Sequence, residues 1–513
     1  MKVVIVGGGT AGWLSACNFA LANKLVEKDD NANPIYDITV IESKDIPIIG
    51  AGEGSTGLLS EFISKKFSIL GVNEFDFIYK SNATLKYGIR FKDWNGVGTQ
   101  YLSPIQPTDT TIMNVDADLL SMYVHTDSYY NSSFSGFLMG KGYTDFSINK
   151  ISSKESHTFH FDAKKVGEYL KEIALKNGVK YTNGEIIQLN LDKENGNLRS
   201  VNIKENSEKI EADFWIDCSG FARILSKNIG VEWVSYAKYL PVNNAIPYLH
   251  QYEKDENILA ETLAWAQPNG WMWQIPTQER YGCGYVYSDM FVDELKALDE
   301  LQNTTGRKIE PIRNIKFDIG RVDKFWEKNV VSIGLSSHFL EPLQATSIHS
   351  TLIQLDMLVN HHLRDSNPKS NWEYTSNLYN KQISQMVDDF RDLIQVHYMT
   401  DREDTEFWKY CKYELPKLDK VSEIIEISKH RSPSHLDFSM YHGAASWGVW
   451  GWTLVGLGIL EKNIAEKTLK NFGLYNESKL RVNEIQNQHI PLRTMLTHKD
   501  FLKAIWNKEL GKR

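Results

Sequence analysis

Val3-Val4-Ile5-Val6-Gly7-Gly8-Gly9-Thr10-Ala11-Gly12-Trp13 opens the chain, and its reading decides the fold. Lys2 to Val6 is a short β-branched run ending in glycine, the pattern of a parallel strand buried on both faces. Gly7, Gly9 and Gly12 follow in GxGxxG register, and a helix is expected over residues 10–25. Gly7 permits a tight turn, Gly9 lets the backbone approach a pyrophosphate, and Gly12 lets helix and strand pack closely. The helix start at Thr10 and Ala11 then points free N–H groups at the phosphate charge.

Outward from this turn, a second strand over residues 36–41 leads to Glu42, whose carboxylate is placed to accept bonds from a ribose diol. Glu42 stands 30 residues beyond Gly12, where about 20 is usual, so an extra loop is expected in the 26–34 region. A second glycine-rich segment, Ile49-Gly50-Ala51-Gly52-Glu53-Gly54-Ser55-Thr56, offers Gly50 and Ala51 to a flat ring or phosphate. Asp217-Cys218-Ser219-Gly220-Phe221 and Val331-Ser332-Ile333-Gly334-Leu335 are further strand-to-glycine junctions. Several such junctions suit an extended FAD lying across a sheet better than NAD at one crevice. Ile186, Gly334 and Leu335 are assigned to the same cofactor surface. Asp162 caps an amphipathic helix with Val166, Tyr169, Leu170, Ile173 and Ala174 on one face, and Gly178 stops it. Strands are expected over residues 185–191, 198–203, 212–217 and 329–333, and long helices from Ser347 through Gln395.

Composition narrows the class. A chain of 513 residues buries more than one core, and two packed domains are the default. With 24 % charged residues and a formal charge of −8, nothing favours nucleic acid as a partner. Cys17, Cys218, Cys283 and Cys411 are scattered without a CxxC pair, which argues against a disulfide framework or a metal site and for a reducing cytoplasm. The apolar first 22 residues resemble a signal peptide only until their glycines are read. The longest apolar run, residues 444–460, contains Ser446, Thr453 and four glycines and falls short of the ~20 residues of a membrane span. A homo-oligomer is compatible with all of this.

Trp271-Met272-Trp273-Gln274-Ile275-Pro276 carries a second kind of information. Tryptophans at i and i+2 of an extended segment project from the same side, and Pro276 removes the next backbone donor. Such a pair makes a rigid aromatic wall.

With GGGTAGW, IGAGEGST, NATLKYGIRFKDW, FDAKKVGEYL, DCSGF, GWMWQIP and IGLSSHFLEPLQATSI in this order, the chain resembles the flavin-dependent halogenases of the tryptophan-halogenase type. The resemblance covers nearly the whole chain and fades after about residue 440. It implies a mixed α/β protein: an FAD-binding dinucleotide fold (flavin box) with an inserted sheet and a largely helical second subdomain (pyramid). Residues 1–60, 150–225 and 325–365 would form the box, 61–149 and 226–324 the inserted substrate and tunnel region, and 366–513 the helical part.

The family's essential lysine corresponds to Lys86. In that family, reduced FAD and oxygen convert a halide (chloride, bromide or iodide) to hypohalous acid, which travels through an internal tunnel to the lysine beside a small aromatic substrate, and the resemblance implies the same here. There the lysine either hydrogen-bonds the oxidant or, deprotonated by burial, forms a haloamine with it. The resemblance implies that the flavin is reduced by a separate flavin reductase. Thr346 and Ser347 correspond to the halide site, where N–H groups opening a helix hold an anion, and Ile348 to a flavin contact. Trp271 and Trp273 correspond to the tunnel wall. Where the family commonly has Glu-Ser before the threonine and Gly after it, this chain has Gln344, Ala345 and Ser347. Gln344 can hydrogen-bond an indole- or phenol-like substrate but carries no charge, and Glu341 is read as lining or capping the tunnel. Lys92 beside Asp93 reads as a solvated ion pair, His338 and His349 as structural, and Trp447, Trp450 and Trp452 as packing. The competing functions are a flavin monooxygenase that hydroxylates an aromatic and a non-catalytic FAD-binding protein.

Overall fold

The computed structural model describes residues 1–30, 33–45, 52–105, 111–112, 115–147, 150–151, 157–204, 209–254, 256–363, 372–438, 447–488 and 495–507. Its centre is a six-stranded sheet in which the first strand, β1 (Lys2–Val6), lies between β2 (Asp37–Glu42) and the Phe214–Asp217 strand. Lys180–Asn183 extends the sheet beyond β2, and Val330–Ser332 and Trp326–Glu327 extend it on the other side. All neighbours are parallel except the last pair. The register sets Val6 opposite Ile41 and Asp217, and Asp217 opposite Ser332, so three carboxyl-terminal strand ends are level. Ligands of open parallel sheets bind at such an edge.

Helix α1 (Thr10–Asp30) covers one face of this sheet. Leu14, Cys17 and Phe19 are fully buried, and Trp13 is 1 % exposed. The helix continues past residue 25 because Lys24, Leu25, Glu27 and Lys28 are good helix formers, and Lys24 pairs with Glu27 at 2.8 Å. Helix, then, takes up much of the extra length before Glu42, in place of the expected loop. Asp162 caps the Ala163–Lys176 helix by accepting from Lys164 and Lys165 N–H, with its predicted apolar face buried.

A second sheet of seven strands has the order Ile315–Lys316, Asn244–Gln251, Arg280–Tyr287, Gly270–Pro276, Glu261–Gln267, Gly88–Lys92, Gln100–Pro104. Trp271 and Trp273 enter the main core, whereas Met272 joins a separate cluster with Tyr248 and Tyr285 on the opposite face. That is the period-two alternation expected of the motif. The strand runs through Pro276, which pairs with Tyr281, so Pro276 ends the strand one residue later than its missing donor suggests. A third sheet is short: Glu53–Gly54, Thr158–Phe161 and Thr84–Lys86.

Beyond residue 372 the described residues form helices, the longest being Glu373–Val396, and they contain no strand. Residues 364–371, inside the helical stretch expected from Ser347 through Gln395, lie outside the described residues. No helix among them is long and apolar enough to cross a membrane.

Candidate active site

The nucleotide turn is built as the glycines require. Gly7 adopts φ 115°, and a Cβ there would meet the Cys218 carbonyl at 2.2 Å. A Cβ on Gly12 would lie 1.9 Å from the Gly7 carbonyl oxygen, but one on Gly9 would meet nothing within 4 Å. Gly7 and Gly12 therefore serve packing, and Gly9 faces open space of the kind a pyrophosphate needs. Thr10 donates its hydroxyl to the Ala163 carbonyl at 3.4 Å. Glu42 ends β2 with its carboxylate against Gly8 and bonded by Lys171 at 2.6 Å. Gly334 has φ +71°, and its Cβ would meet that of Ala11 at 2.7 Å, so two predicted cofactor positions from distant segments touch. Leu335 is half-buried beside them and Ile348 is buried. Ile186 packs into the apolar cluster with Val4, Val6 and Ile41. Gly50 and Ala51 lie outside the described residues. Open backbone at Gly9, the unpaired N–H groups starting α1 and a terminal carboxylate are the donor and acceptor set that an adenine dinucleotide requires, and the residues fit FAD.

The Thr346–Asp356 helix starts under strain. Its N-cap, Ala345, has φ 54°, the left-handed region, and no side chain caps the helix. Such a conformation costs an L-residue about 1–2 kcal/mol. The first-turn N–H groups at Thr346, Ser347 and Ile348 have no intrahelical acceptor and form the anion-binding end of a dipole. Thr346 is buried and Ser347 exposed. His338 bonds Ser337 and Ser350, and burial pushes its imidazole down to about 4, as expected of a structural histidine.

Lys86 is 1 % exposed, at the end of the Thr84–Lys86 strand. No hydrogen bond or ion pair engages its Nζ among the described residues, and burial lowers its ammonium to about 7. Lys92, the rival, makes no ion pair with Asp93; its Nζ sits 3.5 Å over the Trp265 ring, and Asp93 instead accepts from Trp265 Nε1 at 2.6 Å. Asp93 lies just past the Gly88–Lys92 strand with φ 62°, and both side chains end on Trp265 instead of on each other.

Trp271 and Trp273 stand with ring centroids 6.3 Å apart. The Trp273 ring fills the space over Gly284, where a Cβ would approach it to 2.0 Å. Behind Trp271 is Glu341, fully buried, accepting from Trp271 Nε1 at 2.6 Å and Tyr398 hydroxyl at 2.5 Å. Gln344 donates its amide N–H to His397 Nε2 at 2.9 Å. The donor is fixed, because His397 Nδ1 is 2.9 Å from the Leu393 carbonyl and must carry the proton there. Burial holds His397 down near 4 and hence neutral. Sequence reading missed His397, Tyr398, His160 and Thr262. Only His160 left a local signal, a histidine within the fully buried Thr158–Phe161 strand.

The chain matches known proteins along nearly all its length. A family profile described as tryptophan halogenase matches residues 2–470. A tryptophan 7-halogenase of Lentzea aerocolonigenes is 31 % identical over 470 residues, covering 86 % of this chain and 85 % of that protein. Among solved structures, a tryptophan C-6 flavin-dependent halogenase from taromycin biosynthesis superposes with TM-score 0.87 at 26 % identity, covering 98 % of this chain and 99 % of the other. A flavin-dependent halogenase from Brevundimonas sp. BAL3 does so with TM-score 0.81 at 26 % identity, again covering 98 % and 99 %.

Proposed function

The chain belongs to the tryptophan halogenase family, and from that premise we propose that Lys86 is the residue that hands an electrophilic halogen to the aromatic substrate. The protein is an FADH2-dependent halogenase that uses oxygen and halide, with its flavin reduced elsewhere. When bound, the reduced flavin supplies with O2 the oxidising equivalents that turn halide into hypohalous acid. Every later step falls to the chain's own residues. Gly9 and the start of α1 hold the pyrophosphate, Glu42 the ribose, Gly334, Leu335 and Ile348 the flavin's surroundings, and the N–H groups of Thr346 and Ser347 the halide. Trp271 and Trp273 separate this place from the substrate.

The single observation that carries the reading is the Lys86 amine, fully buried and without an acidic partner among the described residues. Near neutral pH such an amine is available as a nucleophile. Its lone pair attacks the halogen of the hypohalous acid, an N–X bond forms, the X–O bond breaks, and hydroxide takes an amine proton to leave as water. The ring carbon then attacks the halogen, the N–X bond breaks, and the ring proton returns to nitrogen.

Gln344 refines the substrate class. One of its two amide N–H groups goes to His397, its carbonyl oxygen is the acceptor it offers, and we assign that oxygen to an N–H or O–H of a neutral indole- or phenol-like ring. Four buried, unpaired cysteines support a reducing cytoplasm.

The test offers reduced flavin, oxygen and chloride, bromide or iodide with a panel of indoles and phenols, followed by mass spectrometry. A halide-dependent halogenated product from the wild type, absent from Lys86→Ala while a hypohalite trap still reacts, is expected. A hydroxylated product, or full halogenation by Lys86→Ala, overturns the reading.

A further inference from the structure

The last described helix, His498–Trp506, lies beyond the part of the chain that carries the family's motifs, yet both its ends reach the residues leading into Lys86. At its far end Trp506 donates its indole N–H to Gln278 Oε1 at 2.8 Å. Gln278 in turn donates its amide to the carbonyls of Ala83 at 2.7 Å and Ile78 at 2.8 Å, and its backbone N–H to that of Asn82 at 3.1 Å. At its near end stands His498, 4 % exposed.

The Thr84–Lys86 strand is at the edge of its three-stranded sheet. On one side it pairs with Thr158–Phe161, Leu85 opposite Phe159 and Lys86 opposite Thr158. On the other, Tyr87 N–H bonds the Ala260 carbonyl directly at 2.8 Å. Two residues back on both chains, Leu85 N–H and the Ile258 carbonyl are joined through an imidazole instead. His498 Nε2 accepts from Leu85 N–H at 3.2 Å, and its Nδ1 donates to the Ile258 carbonyl at 2.9 Å. Both polarities are forced, because an amide N–H only donates and a carbonyl only accepts. The ring is therefore the neutral Nδ1–H tautomer, and burial, which pushes it down to about 4, keeps it so. His160, the histidine across from Thr84, bonds side chains instead: Thr84 Oγ1 at 3.3 Å and Thr262 Oγ1 at 2.8 Å.

We propose that His498 is a positioning residue of Lys86. It acts through the backbone: by bridging Leu85 N–H to Ile258 it sets the place of the strand whose next residue carries the amine. Moving that strand would strip a buried N–H of its acceptor, which is costly. A relay needs such a fixed seat, since about 1 Å of misplacement can cost on the order of 100-fold in rate. The proposal rests on the relay role of Lys86 given above, and it adds what holds the relay in place.

The experiment compares three variants. In His498→Asn the amide nitrogen stands about where Nδ1 does, so the bond to Ile258 is kept and the one to Leu85 lost. His498→Gln carries its amide oxygen out to the Nε2 position and keeps the acceptor for Leu85. His498→Phe fills the space and bonds neither. FAD titration and thermal melting of each variant identify those that fold. Halogenated product per hypohalite formed is read together with kcat and KM for the aromatic substrate. Expected for His498→Asn and His498→Phe is a fall of about tenfold or more in that ratio and in kcat, with hypohalite formation and KM unchanged. His498→Gln restores both. Wild-type coupling in a folded His498→Asn or His498→Phe, while Lys86→Ala makes no product, overturns this proposal alone. Loss of coupling in a folded His498→Gln overturns it as well. Full coupling in Lys86→Ala overturns the relay reading, and the positioning role with it.

Discussion

Trp271 donates its indole N–H to the Glu341 carboxylate over 2.6 Å, so the first tryptophan of the aromatic pair is anchored by an acid with no exposure to solvent. Tyr398 bonds the same oxygen, and the other, Oε1, has no partner among the described residues. Two donors on one oxygen do not offset the loss of water from the other, and burial pushes the acid up to about 7.

Glu341→Gln tests this acid. Because its folded pKa is raised, the folded state retains a proton between about pH 4.5 and 7 that the unfolded state has released. Wild-type stability accordingly falls as pH rises through that window. The amide has no such slope. Urea unfolding at pH 5 and pH 8 should show the variant gaining on the wild type by about 3 kcal/mol between the two. Parallel stability curves would rule out a buried titrating acid.

Lys86 makes a prediction of opposite sign. Its folded pKa is depressed to about 7, so between there and about 10.5 the unfolded chain holds a proton that the folded one lacks. Stability should therefore rise with pH over that range in the wild type, and Lys86→Met should lose the rise. Halogenation should increase with pH on a limb centred near 7. Lys86→Arg, which stays charged, should form hypohalite but almost no product. A rate that falls with pH through 7 would assign the ammonium and not the amine.

Gly9 and Gly12 should separate cleanly. Gly9→Ala places its methyl in open space, so melting should change by no more than a few degrees while FAD affinity drops at least tenfold. Gly12→Ala forces a methyl onto a carbonyl oxygen and should lower stability by several kcal/mol or abolish folding. Equal FAD affinity in Gly9→Ala and wild type would mean that the turn holds no phosphate.

Gln344→Glu sets a carboxylate against the unprotonated Nε2 of His397. At pH 8 the pair repels and the melting temperature should fall. Near pH 5 the imidazole can take a proton from its present value of about 4 upward, and most of the loss should be recovered. A pH-independent change would show that the amide does not face the histidine.

Ala345→Gly should relieve the left-handed φ at the start of the Thr346–Asp356 helix and stabilise the protein by about 1 kcal/mol. Chemical denaturation reads this directly, and a destabilised variant would mean that no strain is held there.

What the chain alone determined is what is encoded locally. The GxGxxG turn, the strand-ending Glu42, the Asp162 cap and the alternation of Trp271 and Trp273 each depend on residues a few positions apart, whose backbone geometry follows from their own chemistry. Lys86 was picked out by the resemblance around it, but only its burial lowers its ammonium to about 7. Tertiary structure decided the rest. Glu341 meets Tyr398 57 residues away and Gln344 meets His397 53 residues away, while His498 reaches the Leu85 backbone from 413 residues away. No spacing rule reports such meetings, because which donor faces which acceptor, and how much water remains between them, depends on how whole sheets and helices stack.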